Sequence, residues 1–462
     1  MNDNRMNSKH FRELQSMVAP DRFSHGESVL DLHARDQSPH PPSLPEAVIW
    51  PVNRQEVSEV LKYANKNLIP VTGWGSGSSL EGNPIPVQRG LVLDFTQMNR
   101  IINIREEDFQ VDLEPGVVYQ DLNHQLRHTG LFFPPDPGAR ATVGGIIANN
   151  ASGTKTVHYG STKDYVQRLT VVLADGEIVE TGTRASKSSS GYDLIHLIVG
   201  SEGTLGIIVE ATLRLVGLPE ELSAAVATFD DVSNAGRAVF QIMRSGLDPA
   251  ALELLDPACI QLMNRERGLG LTVSPSLLFE FHGATASHLA ETLEIVQAIC
   301  RDEGCNDFQT GHGRDAWRKL FDARHELGEM IVRNHPGCGV LTVDVAVPLT
   351  AYPDMIKDAQ KELEETGLAG YIISHAGNGN LHLNLIGESG NRGDWDLISD
   401  VSGRMVTKAL AAGGTATGEH GVGIGKRRFM QTEHGSSLQW MKRIKSLFDP
   451  NGILNPGKIF PD

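Results

Sequence analysis

The chain has 462 residues, too many for a single hydrophobic core, and its length predicts two or three domains. Its net charge of −16 argues against a nucleic-acid partner, because phosphate backbones are bound by clustered lysines and arginines. Its four cysteines form no C-x-x-C pair, which argues against an iron–sulfur cluster and against a zinc site of the usual spacing. No uncharged run nears the ~18 apolar residues that a membrane helix needs, which argues against a membrane span.

The N-terminus favours a cytoplasmic protein, at most peripheral to an inner membrane. MNDNRMNSKHFREL has no apolar signal-peptide core, and residues 1–40 form a polar lead-in that ends in the proline-rich SPHPPSLPE. AVIWP at 47–51 and LIPVT at 68–72 are strand-like, and Asn53 with Glu56 predicts that a helix begins between them. This β-α-β unit opens into a glycine-rich loop.

A second cycle of elements follows. DFQVDLEPG predicts a strand, VVYQDLNHQLRHTG a helix that ends at Gly130, and LTVVLADGEIVETG a hairpin whose two-residue turn is Asp175-Gly176. GTLGIIVEATLRLV at 203–216 is a β-branched strand. From about 222 to 412, helices with apolar residues at i, i+3 and i+4 alternate with strands such as LLFEFHG and YIISH, which predicts a second, α+β domain.

The glycine-rich segment 71–82, VTGWGSGSSLEG, does not fit the dinucleotide-binding fingerprint. After Gly73 and Gly75 the third glycine of G-x-G-x-x-G would fall at Ser78. The segment could still present backbone N–H groups and hydroxyls to a pyrophosphate, and it could equally be an ordinary glycine-rich surface loop.

The segment 374–385, SHAGNGNLHLNL, contains two histidines, His375 and His382. In a strand, an odd separation places them on opposite faces, whereas His382 and Asn384 share one face because leucines alternate with them. His375 can reach that face only if Gly377–Asn380 reverses the chain.

A carboxylate and a further histidine, Glu419 and His420, stand between glycines in TGEHGVGIGKR. Two histidines with a carboxylate are suited to zinc or manganese with open positions for a substrate. The alternative is that these side chains are satisfied polar residues in turns.

Six segments in order resemble the FAD-linked D-2-hydroxyacid dehydrogenases, flavoproteins of the vanillyl-alcohol-oxidase type, in the branch that contains the cytochrome- or quinone-linked D-lactate dehydrogenases. They are PVTGWGSGSSLEG, PPDPGARATVGGIIANNASGTKTVHYG, VGSEGTLGII, HAGNGNLH, TGEHGVGIGKR and FDPNGILNPGKI. The resemblance runs from about Leu32 to the C-terminus. It implies an α+β chain with a two-lobed FAD-binding domain over 41–219, a substrate or cap domain with an antiparallel sheet over 220–412, and a C-terminal segment, 413–462, that returns to the FAD domain.

The resemblance also implies which residues hold FAD. The pyrophosphate would be held by the first glycine loop, and the flavin and its ribityl chain by later segments and one C-terminal residue. The loop residues are Gly75, Ser76, Gly77, Ser78, Ser79 and Leu80, and the others are Pro135, Asp136, Pro137, Thr142, Gly144, Gly145, Asn149, Ser152, Gly153, Ile207 and Asn455.

Catalytic roles follow from the same resemblance. The matching positions are the metal ligands His375, His382 and Glu419, and the catalytic base His420. Arg324 matches the family's substrate-binding arginine, although helical periodicity alone fits a solvated arginine equally well. Asn384 is a second candidate for the substrate carboxylate.

Two positions bear on substrate and metal. The family usually has Asp where this chain has Asn378, and an Asn that orients a ligand histidine would supply one charge fewer. The hydroxyglutarate branch commonly has a lysine where this chain has Thr342, which favours a monocarboxylate such as D-lactate.

The expected function is therefore FAD- and metal-dependent oxidation of a D-2-hydroxy acid, with D-lactate to pyruvate favoured. Hydride transfer would reduce the flavin, and electrons would pass to a cytochrome, a quinone or an electron-transfer flavoprotein. The alternatives are a D-2-hydroxyglutarate dehydrogenase, the flavin subunit of a glycolate oxidase, and a non-catalytic electron-carrying flavoprotein. A homodimer is possible on this reading.

Overall fold

The computed structural model describes residues 6–312 and 314–461, with the backbone alone for 312 and for 314–317; residues 1–5 of the predicted lead-in lie outside it. The described strands are β1 Phe23–Ser24, β2 Ala47–Ile49, β3 Val71–Trp74, β4 Leu91–Asp94, β5 Ile101–Arg105, β6 Gln110–Leu113, β7 Leu131–Phe132, β8 Val166–Val172, β9 Ile178–Gly182, β10 Ile207–Arg214, β11 Val216–Gly217, β12 Glu221–Phe229, β13 Ala251–Leu255, β14 Ser276–Gly283, β15 Cys305–His312, β16 Cys338–Ala346, β17 Gly370–His375 and β18 Asn380–Glu388.

The described α-helices are α1 Ser8–Gln15, α2 Glu27–Leu32, α3 Arg54–Asn67, α4 Tyr119–Leu126, α5 Val143–Asn149, α6 Thr156–Tyr159, α7 Leu194–Ile198, α8 Val232–Arg244, α9 Pro257–Arg267, α10 Ala286–Asp302, α11 Arg314–His325, α12 Leu327–Asn334, α13 Tyr352–Thr366, α14 Arg392–Ala411, α15 Met430–His434 and α16 Ser437–Phe448. Within the described residues, none of these helices combines the length and the apolar composition that a bilayer crossing requires.

The chain divides into two compact units. The described residues of the first fall within Met1–Ser152, Ser161–Gly217 and Glu419–Asp462, and those of the second within Gly153–Gly160 and Leu218–Gly418.

The first unit contains a sheet of order β1-β2-β4-β3, in which β2, β4 and β3 are parallel. The predicted β-α-β unit is β2–α3–β3: the Asn53 side chain accepts a hydrogen bond from the Glu56 N–H at 2.9 Å and caps α3. Leu68 ends α3 in a left-handed conformation (φ 55°), so the second strand begins at Val71, later than predicted. The C-terminal segment returns to this sheet, where Leu454 bridges to Val71.

A second, antiparallel sheet of the first unit has the order β5-β6-β10-β8-β9. The predicted β8–β9 hairpin is confirmed, but its turn is longer than two residues. The Leu173 N–H donates to the Glu177 carbonyl at 2.9 Å, which leaves Ala174, Asp175 and Gly176 as the loop. Gly176 has a φ of +83°, as a three-residue hairpin loop with a left-handed glycine requires.

The second unit is built on an antiparallel sheet whose described strands have the order β15-β12-β14-β13-β17-β18-β16. One face of this sheet packs on helices α9, α11 and α12 around apolar residues such as Ala251, Leu278 and Ile373. Glu253 lies on the same face as these residues, because Ala251 is two positions away and Leu278 is its cross-strand partner. This face carries the candidate site.

Candidate active site

The two histidines of the β17–β18 hairpin lie on one face of the sheet. His375 is opposite Asn380 and His382 is opposite Ile373, so each histidine is two positions from the other's partner. The ring centroids are 5.0 Å apart with an interplanar angle of 88°. The reversal predicted from the glycines is confirmed: Ala376–Asn378 form a turn, and Gly379 has a φ of +67°.

His375 is oriented by Glu253, a residue that the sequence reasoning missed. The carboxylate accepts a hydrogen bond from His375 Nδ1 at 2.8 Å, and both side chains are buried. An ionised carboxylate only accepts, so Nδ1 carries a proton, and in the neutral imidazole Nε2 is then the nitrogen whose lone pair is available to a cation. Burial acts to raise the pKa of Glu253, but the charge of Arg324 and the interaction with His375 override it and lower the pKa.

His382 has an acidic neighbour of its own. Its Nδ1 lies 3.5 Å from Asp344 Oδ1, and Asp344 is fully buried. Asp344 is held by donors from three directions: Asn380 Nδ2 at 2.8 Å, Thr417 Oγ1 at 2.9 Å and the Gly418 N–H at 2.8 Å. Each histidine of the pair therefore has its own buried carboxylate beside Nδ1.

Arg324, which was predicted to bind the substrate carboxylate, lies on α11 and is only 8% exposed. The alternative of a solvated arginine is therefore wrong. Its Nε and Nη2 both reach Glu253 Oε2, at 2.8 and 2.5 Å. Part of the charge of Arg324 thus stabilises Glu253, and Nη1 is the nitrogen that takes no part in this pair.

Asn384 is held in one orientation by Thr342. The Thr342 hydroxyl donates to Asn384 Oδ1 at 2.8 Å, whereas Asn384 Nδ2 lies 3.5 Å from the Tyr371 carbonyl oxygen. The amide therefore directs its oxygen to Thr342 and retains donor capacity on its nitrogen.

Asn378, where the chain departs from the resembling family, is exposed within the turn. The buried carboxylates that contact the two histidines come from Glu253 and Asp344 instead. The idea that position 378 orients a ligand histidine is therefore not supported by its placement.

Glu419 and His420 belong to the first unit. The Ser152 hydroxyl donates to Glu419 Oε2 at 2.8 Å, and Asn149 Nδ2 donates to the His420 carbonyl at 3.2 Å. Glu419 Oε1 and His420 Nε2 are 3.7 Å apart. Two residues predicted to line the flavin, Asn149 and Ser152, thus also position this pair.

The first glycine loop has the features of an anion cradle. Among the described residues, no backbone N–H from Ser76 to Leu80 donates a hydrogen bond within the chain. A Cβ on Gly75 would lie 2.2 Å from Thr142 Oγ1, and Gly77 has a φ of +65°. The loop therefore needs glycine at both positions and presents a run of unused donors, which fits a pyrophosphate.

Asn455 ties together two loops of the same unit. Its Nδ2 donates to the Glu202 carbonyl at 2.7 Å and to the Asn83 carbonyl at 3.0 Å. Glu202, which the sequence patterns did not predict, accepts hydrogen bonds from the N–H groups of Val422 and Gly423 at 2.6 and 2.9 Å. Burial raises the pKa of Glu202, although these hydrogen bonds act to lower it. The signal was that Glu202 is the single charged residue of the glycine-rich segment VGSEGTLGII.

The remaining predicted flavin residues divide between the units. Gly153 belongs to the second unit, and the rest lie in the first: Pro135, Asp136, Pro137, Gly144, Gly145 and Ile207. Gly144 lies against Pro115, since a Cβ there would be 2.6 Å from the proline Cβ. The Pro137 carbonyl accepts a hydrogen bond from the Tyr119 hydroxyl at 2.6 Å.

Comparison with protein families decides the identity. Residues 218–459 match the model for the C-terminal domain of FAD linked oxidases, and residues 45–182 match the FAD binding domain. The chain belongs to the FAD-linked oxidases. Like the family, it is an oxidoreductase with an FAD-binding domain, and the family resemblance drawn from the six segments is confirmed.

Relatives of this FAD-linked oxidase include "Probable D-lactate dehydrogenase, mitochondrial" of Danio rerio, 38% identical over 96% of this chain and 90% of that protein. "D-lactate dehydrogenase [cytochrome], mitochondrial" of Arabidopsis thaliana is 38% identical over 96% of this chain and 77% of the relative. "Glycolate oxidase subunit GlcD" of Bacillus subtilis is 34% identical over 97% of this chain and 96% of the relative.

Among solved structures, 4-ethylphenol oxidase from Gulosibacter chungangensis matches this FAD-linked oxidase with a TM-score of 0.80 at 19% identity, over 98% of this chain and 97% of that one. At this identity the match shows the fold alone. The expected α+β fold of the vanillyl-alcohol-oxidase type is confirmed.

Proposed function

We propose that this FAD-linked oxidase oxidises a D-2-hydroxy acid, with D-lactate to pyruvate as its reaction. The observation that carries the proposal is the pair of histidines on one sheet face, each with a buried carboxylate beside Nδ1. Two curated relatives at 38% identity are named D-lactate dehydrogenases, which supports the same substrate.

A divalent cation, zinc or manganese, would be held by His375, His382 and Glu419. The donor set fits: the hydrogen bond to Glu253 favours the tautomer in which His375 Nε2 has a lone pair, and the Asp344 carboxylate lies 3.5 Å from His382 Nδ1. Glu419 is the next residue after Gly418, whose N–H is fixed on Asp344 at 2.8 Å. Such a cation would make a substrate hydroxyl more acidic.

His420 then accepts the hydroxyl proton. Glu419 Oε1 lies 3.7 Å from His420 Nε2, and a neighbouring carboxylate stabilises an imidazolium when it forms. FAD, when bound, would supply the acceptor for the hydride from C2. The proton and the hydride leave the same carbon–oxygen unit, so a 2-hydroxy acid becomes a 2-oxo acid.

The substrate carboxylate would be bound by Arg324 and Asn384. Arg324 contributes Nη1, since Nε and Nη2 are directed at Glu253, and Asn384 contributes Nδ2, since Thr342 holds its oxygen. Thr342 supplies no positive charge for a second carboxylate, which favours a monocarboxylate such as D-lactate.

The flavin would be bound by residues 41–219 together with Asn455. The cradle of Gly75–Leu80 would receive the pyrophosphate, and support comes from its unused N–H groups and from the FAD binding domain match at 45–182. Residues 220–412 would form the substrate domain, and 413–462 would carry Glu419, His420 and Asn455.

An anaerobic substrate panel tests this function. We expect D-lactate to bleach the bound flavin faster than L-lactate or D-2-hydroxyglutarate, and a chelator to abolish the bleaching until zinc or manganese is restored. The His420→Ala variant should retain its flavin spectrum and bleach about 10²–10⁴-fold more slowly. A wild-type protein that holds FAD but is not bleached by any D-2-hydroxy acid contradicts the proposal.

A glycolate oxidase flavin subunit is the second candidate, because the Bacillus subtilis relative has that name at 34% identity. The same panel separates the two candidates: a glycolate oxidase flavin subunit would be bleached faster by glycolate than by D-lactate.

A further inference from the structure

Helix α16, Ser437–Phe448, exposes large apolar side chains instead of burying them. Trp440 is 64% exposed and Leu447 is 78% exposed, whereas Leu438 is fully buried. Trp440, Arg443 and Leu447 recur at intervals of three and four residues, so they share the side of the helix opposite Leu438. We call these three residues the Trp440 face.

The Trp440 face is basic in an acidic chain. The net charge of the chain is −16, yet α16 contains three cations and no acidic residue. Lys445 turns inward, where its Nζ donates to the Thr204 and Leu454 carbonyls at 2.7 and 2.9 Å. Arg443 remains exposed, with its guanidinium 4.6 Å above the Trp440 ring.

We propose that the Trp440 face docks a redox protein whose surface is acidic around its prosthetic group. Because Trp440, Arg443 and Leu447 are exposed, they contribute little to the stability of the fold. Trp and Arg are among the residues most enriched at binding hot spots. A second copy fits poorly, because Arg443 would meet the same cation. Two apolar side chains are also too few for stable anchoring in a lipid surface.

The inner side of α16 supports this assignment. Thr204 and Leu454, both held by Lys445, stand close in sequence to Ile207 and Asn455, the proposed flavin contacts. A carrier docked on the outer side would thus lie on a helix bonded to the proposed flavin-lining segments. The electrons come from the proposed hydroxy-acid oxidation, so the inference rests on that function. A hydride delivers two electrons and one proton. The two electrons reduce two one-electron carriers in turn, and the proton goes to solvent.

Reoxidation kinetics of the reduced holoenzyme test the docking. The probes are plastocyanin, a carrier with an acidic surface, cytochrome c, a basic one, and the small dye dichlorophenolindophenol. At low ionic strength we expect Arg443→Glu to slow the reduction of plastocyanin about tenfold and to leave the reduction of cytochrome c no slower. The effect on plastocyanin should be much smaller in about 0.5 M salt. Trp440→Ser should slow plastocyanin about fivefold at either salt concentration. The dye rate should not change.

Matched controls are Arg392→Glu, a side chain that is 93% exposed, and Tyr192→Ser, which is 98% exposed. Losses with the α16 variants no larger than with these controls would overturn the docking surface. A change in sedimentation of Trp440→Ser would overturn it too, by assigning the face to contacts between copies. Photochemical reduction replaces D-lactate in a parallel series, so a wrong substrate assignment is recognised separately.

Discussion

Replacing Glu253 by Gln removes a carboxylate that satisfies two partners at once. Its Oε1 accepts from His375 Nδ1 at 2.8 Å, and its Oε2 accepts from Arg324 Nε and Nη2 at 2.8 and 2.5 Å. A Gln amide has one accepting oxygen and one donating nitrogen, so it cannot accept from both partners. Either Arg324 or His375 then faces a donor.

Two different losses follow from this conflict. A ligand histidine that loses its orienting partner typically weakens metal binding about 10–100-fold, or about 1.4–2.7 kcal/mol. Arg324 is also left without a counter-charge in a site where its side chain is 9% exposed. Removing one partner of a buried ion pair costs about 3–5 kcal/mol of unfolding free energy.

The two losses are measured separately and have a matched control. Zinc affinity is measured by chelator competition, and the unfolding free energy of the metal-free protein by urea. Glu280→Gln is the control: Glu280 is 1% exposed, lies diagonal to Glu253 on the same sheet face and contacts His282 Nε2 at 2.5 Å, but His282 is not a proposed ligand. It should lose stability and keep its zinc affinity. A zinc Kd of Glu253→Gln within about twofold of wild type would refute the orienting role.

Two further predictions concern packing and pH. A Cβ on Gly377 would lie 2.4 Å from Val157 Cγ2, so Gly377→Ala should lower the urea unfolding free energy by about 1–3 kcal/mol, and by clearly less in a Val157→Ala background. An equal loss in both backgrounds would contradict the packing argument. Burial lowers the pKa of Lys458 to about 8 from 10.5, so the folded state binds fewer protons than the unfolded state between these values. Between about pH 8 and 10.5 the unfolding free energy of the wild type should therefore rise by about 3 kcal/mol more than that of Lys458→Met. Urea unfolding at a series of pH values measures both, and parallel profiles of the two proteins would contradict the prediction.

Local patterns were sufficient for the elements that depend on neighbours in sequence. Asn53 three residues before Glu56 predicted the cap of α3, and the alternation of leucines with His382 and Asn384 predicted the polar face of β18. The β8–β9 turn was predicted one residue too short, because Asp-Gly pairs fit both the two-residue turn and the longer loop with a left-handed glycine.

Long-range partners were beyond these patterns. Glu253 is 122 positions from His375, and no local periodicity connects them. A signal was present, however: ALELL is an apolar strand, all five residues are buried, and a glutamate there must have a charged or donating partner. Reading that requirement predicts a partner for Glu253 but not which one, since only the sheet order brings β13 beside β17.

Asn378 is placed where a charge would act only weakly on the proposed metal ligands. Asn378 is exposed, and a charge on an exposed turn residue is screened by water and contributes little to its surroundings. Glu253 and Asp344 are both fully buried beside the histidines, where the effective dielectric constant is lower and a carboxylate acts more strongly on its neighbour. The carboxylates beside the two imidazoles therefore come from β13 and β16, and Asn in place of Asp at 378 leaves both of them intact.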